Sequence, residues 1–528
     1  MSVNRDTRIA RQFHDYTKYT LINEGRDDAN ILVGIPPDLE PAIWQEDWSI
    51  EPRPFKSYTT ADSIELPREF EPFTLPILDA IAAPGPRQSS ATPSRDILAR
   101  ICLLSNGILK TGGHGTGRVI EYRAAGGTGA RYHVELYLVT GDLPGLDAGV
   151  YHYDAKDHTL RVLRRGDYRA ALAEATAGEP SVANAPAVLI STSTFWRNAW
   201  RYKARAYRHV LWDTGTTVSN ILAVAAASEV STKVVMGFVE DEVNGLLGVD
   251  GERESTICLI PLGQDGTPAA SPGTIEPLNL ETVPVSASEL EFPPLPAMNR
   301  GTRLESREEV AAWRANPLRR TLPEPTGEVI PLRPIASDAA PGMVVDDAIR
   351  RRRSTRHYDL DTPIPFDAIS TLLERSNRGA AFDCLDITAP ALADPYLIVN
   401  NVEGLTAGSY AYHPQQGALE LLEAGNMRER AARLACTQQY AADAHVNLYY
   451  MADLEPIFET YGNRGYRVAQ LQAALYASRL HLGTHAFRLG AVGSTSEDDL
   501  VTDFFSPHAA GKSFMFILTF GKRRPKAT

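Results

Sequence analysis

Two parts of this 528-residue chain repeat one another at a fixed distance, and no other feature limits the possible folds as strongly. The segment from Tyr137, YLVTGDLPGLDAGVYHYDAKDHTLRVLRRGDYR, aligns without a gap to YLIVNNVEGLTAGSYAYHPQQGALELLEAGNMR from Tyr396. Gly145 falls on Gly404, Gly149 on Gly408, Tyr151 on Tyr410, Tyr153 on Tyr412 and Gly166 on Gly425. The same offset of 259 positions superposes YKARAYR, from Tyr202, on YGNRGYR, from Tyr461. A constant offset across two separated segments marks a tandem duplication. The length alone also exceeds what one hydrophobic core serves, so two domains are expected.

Each half reads alike. A helical segment (97–109; 366–375) precedes a strand (134–140; 395–400), followed by a Gly-rich turn and a second strand around the paired tyrosines. Long Ala/Leu-rich helices come next (216–229; 468–489), and each half closes on an apolar strand, STICLIPLG or SFMFILTFG. Helices packed on a mostly antiparallel sheet give an α+β class, with the two halves forming a pseudo-dimer. The boundaries expected are an arm over 1–65, a first domain over 66–265, a Pro-rich connection over 266–340 lying on the surface, with ELEFPPLP the segment of it able to pack, and a second domain over 341–528.

The chain is acidic, with a formal charge of -12, which argues against nucleic acid as a partner. Its four cysteines are far apart, with no CxxC pair and no neighbouring histidine spacing, so neither a disulfide framework nor a structural zinc is indicated. The opening MSVNRDTRIARQFHDYTKYT is no secretory signal, and no run approaches the ~20 apolar residues of a membrane span. A cytoplasmic protein, monomer or homodimer, is the expectation.

Against that acidic background, Arg350 to Arg356 places five arginines in seven residues. The two halves differ around it. The first has LDAIAAPGPRQSS from Leu78, where the second has DDAIRRRRSTRHY from Asp346. Conversely, the first has RAAGGTGARYHVELY from Arg123, where the second has the glycine-free AFDCLDITAPALADPY. Each copy keeps an element the other lacks, as expected if two half-sites meet and only one composite site works. Arginine forks bind phosphate through charge-assisted hydrogen bonds, and a following serine adds a hydroxyl donor. The run Gly126-Gly127-Thr128-Gly129 lets backbone N–H groups approach a ring or phosphate closely. A solvated helix end and a plain hairpin loop are the ordinary readings of these two elements taken singly. Their complementarity favours an anionic ligand.

RRRSTRHY resembles the arginine–serine signature of the nitroreductase superfamily of flavin enzymes. RAAGGTGARYHVELY is similar to RxxPSAGALYPxELY in its SagB/ThcOx-type branch, the azoline dehydrogenases of peptide tailoring, and YKARAYR and YGNRGYR resemble that branch's KYGERGYR. The resemblance covers about 80–260 and 340–525. It implies FMN, with Arg352, Arg353, Ser354 and Arg356 on its phosphate and ribityl chain and Ala125, Gly126, Gly127, Thr128 and Gly129 approaching from the other side. GAVGST, with Val492, Gly493 and Ser494, would offer N–H groups near the ring. The Pro-Ser of the family motif is Gly126-Gly127 here, with Thr128 a substitute hydroxyl. The family's Lys-Tyr pair, linked to proton removal, is Arg201-Tyr202, and an arginine is a poor base. Tyr202 and Lys203 are therefore the catalytic candidates, with Arg201 expected to lower the pKa of Tyr202.

PHAAGKS, from Pro507, lacks the first glycine of a P-loop, and GGHGTGR, from Gly112, is not GxGxxG. No histidine spacing suggests a metal. Three functions follow. The first is an FMN-dependent dehydrogenase or oxidase acting on a small-molecule or peptide-derived substrate in biosynthetic tailoring. The others are an NAD(P)H-dependent reductase of nitro or quinone compounds, and a non-catalytic scaffold with a degenerate flavoenzyme fold.

Overall fold

In the strand Val134–Thr140 all seven residues are buried, and their alternation divides two cores. Leu136 and Leu138 face the main core, while Tyr137 and Val139 face a smaller one with Leu172 and Leu246. A strand covered on both faces needs apolar and β-branched residues throughout, which VELYLVT supplies. In the computed structural model, which describes residues 2–19, 46–87, 90–113, 119–264, 274–322 and 324–525, this strand lies inside the first of two large sheets, of six and seven strands.

The first sheet orders its strands Ser63–Glu65, Thr159–Arg165, Gly149–Asp154, Val134–Thr140, Ala187–Thr194 and Glu254–Leu262, all antiparallel. The second runs Leu489–Ser494, Lys512–Lys522, Val446–Asp453, Asp394–Val399, Gly408–His413, Ala418–Ala424 and Glu328–Pro331, also antiparallel. The duplication extends to register: Tyr137 pairs with His152 as Tyr396 pairs with Ala411.

The two halves meet along their long helices, Ala206–Ala227 and Arg464–Thr484, both almost wholly buried. A Cβ on Gly215 would lie 2.6 Å from the Leu471 carbonyl and 3.0 Å from Ala474 Cβ, so glycine is what lets the backbones touch. Trp212 Nε1 donates to Gln470 Oε1 at 2.6 Å, and Ser478 Oγ donates to Thr216 Oγ1 at 2.9 Å across the same seam.

Beside this crossing sit two reciprocal clusters of buried charge. Arg205 and Arg208 of the first half grip Asp498 of the second, the former at 3.1 Å. Arg464 and Arg467 of the second half grip Glu240 of the first, the latter at 3.0 Å. The same RxYR positions of the repeat thus form each lock. The arm and the connection dock on them: Arg208 donates to Thr17 Oγ1 and the His14 carbonyl, and Arg467 donates to Asn299 Oδ1.

The connection is not merely a surface strap. Its helices Pro294–Gly301 and Arg307–Arg314 bury Leu295, Met298, Val310 and Trp313 in the main core, and Glu328–Pro331 extends the second sheet. Two apolar residues per helix are too few to set up a legible period among so many prolines. The long helices are also displaced from expectation, beginning at Ala206 and Arg464 inside the RxYR motifs, because the arginines there are buried partners and not loop residues.

Burial opposes ionisation of Asp498, but Arg208 and Arg205 overcome it and hold its carboxyl at about 2. A depressed carboxyl contributes stability above its unfolded pKa and loses it as pH falls toward the folded value. Asp498→Asn, which leaves two buried guanidiniums without a counter-charge, should destabilise the chain by about 3–5 kcal/mol. Denaturant titrations should show this loss at pH 7 and a flatter dependence than wild type between pH 4 and 2. Equal acid dependence in both proteins would mean Asp498 is not the titrating lock.

Candidate active site

The arginine cluster divides its labour. Arg351 closes on Asp347 one turn back at 3.2 Å, a helix-surface pair. Helix Val345–Arg351 ends at Arg352, whose half-buried side chain crosses to the other half. There its Nε donates to the Ala124 carbonyl at 2.8 Å, and Nη1 lies 3.4 Å from where a Cβ on Gly126 would be. The residues beyond are fixed to the edge strand Leu489–Ser494: Ser354 bridges Ala491 in parallel, and Thr355 N–H donates to the Ala491 carbonyl at 2.9 Å. That contact places the arginine segment beside Val492–Ser494.

The glycine run approaches from the first half, held by Asp213 on the long helix. Asp213 accepts from Thr128 N–H and Thr128 Oγ1, both at 2.8 Å, and its Oδ2 also meets His133 Nε2 at 2.8 Å. The Thr128 hydroxyl therefore anchors its own loop, a different use from the ligand contact expected of it. Gly129 takes φ +61°, and a Cβ there would stand 2.5 Å from Tyr202 Oη. The backbone thus lies directly against the tyrosine.

These elements enclose a cleft of about 290 Å³. Of the residues expected at the site, Gly126, Gly127, Thr128, Gly129, Tyr202, Arg352, Ser354, Arg356, Val492, Gly493 and Ser494 all line it. Three do not. Ala125 is buried beneath the loop with its N–H on the Ser105 carbonyl, Arg353 points outward, and Lys203 follows Tyr202 at a backbone turn. Sequence reasoning missed His209, Trp212, Asp213, Tyr440 and His481, which also line the cleft. Four of them sit on the long helices, where only coordinates show which face points inward, and Tyr440 lies in the short helix Gln439–Asp443. Ser89, at one of the first-half positions matching the arginine–serine segment, lies outside the described residues, as do residues 114–118 of the GGHGTGR stretch.

The electrostatics contradict one expectation. Burial pushes the Tyr202 phenol up to about 12, and the opposing pull of Arg201 does not offset it. Arg201 is part-exposed and 3.3 Å from Glu46, so its field is screened. The phenol is thus protonated at neutral pH. His209, edge-on to it with ring centroids 4.6 Å apart, is held well below its ordinary pKa by burial and then Arg205, and is neutral. Burial and Arg352 do the same to His481, whose Nε2 has no hydrogen-bond partner among the described residues.

The pseudo-symmetric position is built differently. There Met236 and Gly237 donate their N–H groups to the Asp383 carboxyl at 2.8 and 3.0 Å. A Cβ on Gly237 would meet Asp383 at 2.9 Å and the Trp313 ring at 3.2 Å. The glycine-free segment and the connection fill the space that the first cleft keeps open.

Comparison with known proteins agrees with this architecture. The Nitroreductase family model matches residues 108–264 and 349–522. The chain belongs to the nitroreductase family. A candidate nitroreductase from Anabaena variabilis superposes over 98% of this chain and 99% of its own, with a TM-score of 0.74 and 26% identity. The candidate nitroreductase MJ1384 of Methanocaldococcus jannaschii is 27% identical over 143 residues, 27% of this chain and 71% of that one. The trifolitoxin-processing protein TfxB of Rhizobium leguminosarum bv. trifolii is 31% identical over 134 residues; the match spans 24% of this chain and 36% of TfxB.

Lys203 adopts φ +51°, ψ −139°, a region close to glycine-only, and the repeat places Gly462 there at φ +66°, ψ −157°. Holding a lysine so costs about 1–3 kcal/mol. Lys203→Gly should therefore raise the free energy of unfolding by up to about 1–3 kcal/mol, and thermal or urea denaturation measures it. A destabilised variant would show that Lys203 makes side-chain contacts worth more than its backbone strain.

Proposed function

We propose that this chain is an FMN-dependent oxidoreductase with one composite flavin site between its domains, acting on a small-molecule or peptide-derived substrate in a biosynthetic tailoring step. The observation that carries this reading is the cleft in which Arg352 of the second half reaches across to Ala124 and Gly126 of the first. The fit to a planar, phosphorylated ligand rests on what the cleft offers. Arg352 and Arg356 supply guanidiniums, Ser354 a hydroxyl, and His481 Nε2 a buried, unpaired nitrogen suited to a ribityl hydroxyl. At Gly126 and Gly127 a Cβ would close to 3.4 and 3.0 Å of neighbouring side chains, so the backbone itself forms that wall. Bound there, FMN would supply hydride transfer, and the protein would orient the substrate and hold the proton.

The filled pseudo-symmetric position supports one flavin per chain, because its N–H groups already bond Asp383. The peptide-derived substrate class is supported by the similarity to TfxB, a protein named for trifolitoxin processing, over the part of the chain that matches. The protonated Tyr202 favours a second direction, NAD(P)H-dependent reduction, in which the substrate receives a hydride and then a proton from the phenol.

Acid-released flavin quantified against protein should approach one per chain. Arg352→Ala should lower flavin affinity by roughly 10- to 150-fold, the loss of a charge-assisted bond of about 1.5–3 kcal/mol. Arg87→Ala, in the matching segment of the first half where Arg87 bonds the Ala226 carbonyl, should leave flavin content unchanged. Two flavins per chain, or equal responses to both changes, would overturn the composite site; a flavin-free protein would leave the scaffold reading. Anaerobic NADPH should reduce the bound flavin if the chain is a reductase and leave it oxidised if it is a dehydrogenase. In the reductive direction Tyr202→Phe should slow turnover about 10²–10⁴-fold without loss of flavin, as expected for removal of a positioned acid.

A further inference from the structure

In the second domain, away from the cleft, three side chains converge that no reading of the fold requires. His413, at the end of strand Gly408–His413, places Nε2 2.9 Å from Glu420 Oε2 on the neighbouring strand. His508, in the loop before the last strand, brings its Nε2 to 3.5 Å from the same oxygen. All three donor atoms lie within 4.8 Å of one another. The His508 loop belongs to the PHAAGKS stretch, which is not a phosphate loop.

The surroundings orient these groups as ligands. Tyr396 Oη meets His508 Nδ1 at 2.9 Å and the His508 carbonyl at 3.2 Å, and receives Lys512 Nζ at 2.6 Å. With Nδ1 held there, His508 Nε2 faces the carboxylate oxygen that His413 Nε2 also faces. A cation at that point is within reach of all three atoms once both Nε2 atoms are unprotonated. The other carboxylate oxygen, Oε1, is pinned by N–H groups of Thr326 at 2.8 Å and Gly327 at 2.7 Å, which fixes Oε2 toward the histidines. The positive charge of Lys512 is met by Asp394 at 3.0 Å. Outer partners of this kind are what hold metal-binding histidines and carboxylates in place.

The duplication provides an internal control. The positions of His413 and Glu420 correspond to Asp154 and Arg161, which form an ordinary ion pair at 3.0 Å in the first half. The cross-strand position needs only a charge pair. In the second half it carries two groups that ligate.

We infer that His413 Nε2, Glu420 Oε2 and His508 Nε2 bind a divalent first-row transition ion. Two imidazoles and a carboxylate, with remaining positions open where His508 is part-exposed, suit zinc or a similar borderline ion. The ion joins the connecting segment at Thr326–Gly327, the edge of the sheet and the loop leading into the strand that carries Phe516 and Leu518 to the cleft. Its role is a brace, and it is independent of the flavin reading.

Tag-free, chelator-washed protein in its flavin state as isolated should take up one Zn²⁺ per chain by titration calorimetry, with a dissociation constant near or below ~10 μM. X-ray absorption should then give light-atom ligands at about 2.0–2.1 Å. His508→Ala, a change in a part-exposed loop, should weaken binding at least ~100-fold, and Tyr396→Phe, which removes only the outer partner, by roughly 10–100-fold. Absence of saturable uptake by the wild-type chain would mean a proton alone bridges the cluster. Equal affinity in wild type and His508→Ala would mean the ion sits elsewhere. Either result overturns the site.

Discussion

The structure depends on charge buried between its halves. Four guanidiniums and two carboxylates, all within a few percent of full burial, lie where the domains meet. Isolated, each would be costly in that environment; paired across the seam, they make separation of the domains the costly event. The pairing is reciprocal, each half supplying two arginines and one acid. Its side chains also form the walls of the cleft. Arg205 donates to Thr495 Oγ1 at 2.9 Å and stacks on Tyr19 at 3.8 Å, and both neighbours line the pocket. The lock that joins the domains therefore also fixes the geometry of the composite site.

Fusion of two copies removes the requirement that two equivalent sites remain equivalent. In a symmetric dimer a residue that fills one pocket fills both. Here Asp383 and Trp313 occupy one side, while the glycine run and Arg352 keep the other open. Arg464, the counterpart of Arg205, packs on Phe238 at 4.5 Å and Trp313 at 5.7 Å, where Arg205 meets Tyr19 and a cleft. The same lock is thus used once to support an opening and once to support a core. The His413–Glu420 pair, standing where the first half has Asp154 and Arg161, is a second instance of divergence at a position whose structural demand any charge pair meets.

Much of this was legible in the sequence because duplication writes itself as an offset, and the offset survives into strand register. The sheets followed from it, and one cleft is lined by eleven of the residues singled out by motif. What was illegible has a common cause. The helices of the connection show only two buried apolar positions each, so proline content masked them. The inward faces of the long helices could not be identified, since both are buried nearly all round and carry no amphipathic stripe. Asp213, His209 and His481 were hidden there. The bond from the Thr128 hydroxyl to Asp213 was hidden too, because its acceptor lies 85 positions away on one of those helices.

The case of Tyr202 shows why charge read from sequence neighbours misleads. Arg201 is adjacent in the chain, which suggests a stabilised tyrosinate. In the fold its guanidinium sits 5.8 Å from the tyrosine ring, part-exposed and beside Glu46, whereas the phenol is enclosed by Gly129, His209 and Tyr19. A screened cation at that distance contributes on the order of 1–3 kcal/mol at most, for an effective dielectric between 20 and that of water. Removing the phenolate from water costs more. Burial thus keeps the phenol protonated at neutral pH, opposite to the direction its neighbour in the chain suggests.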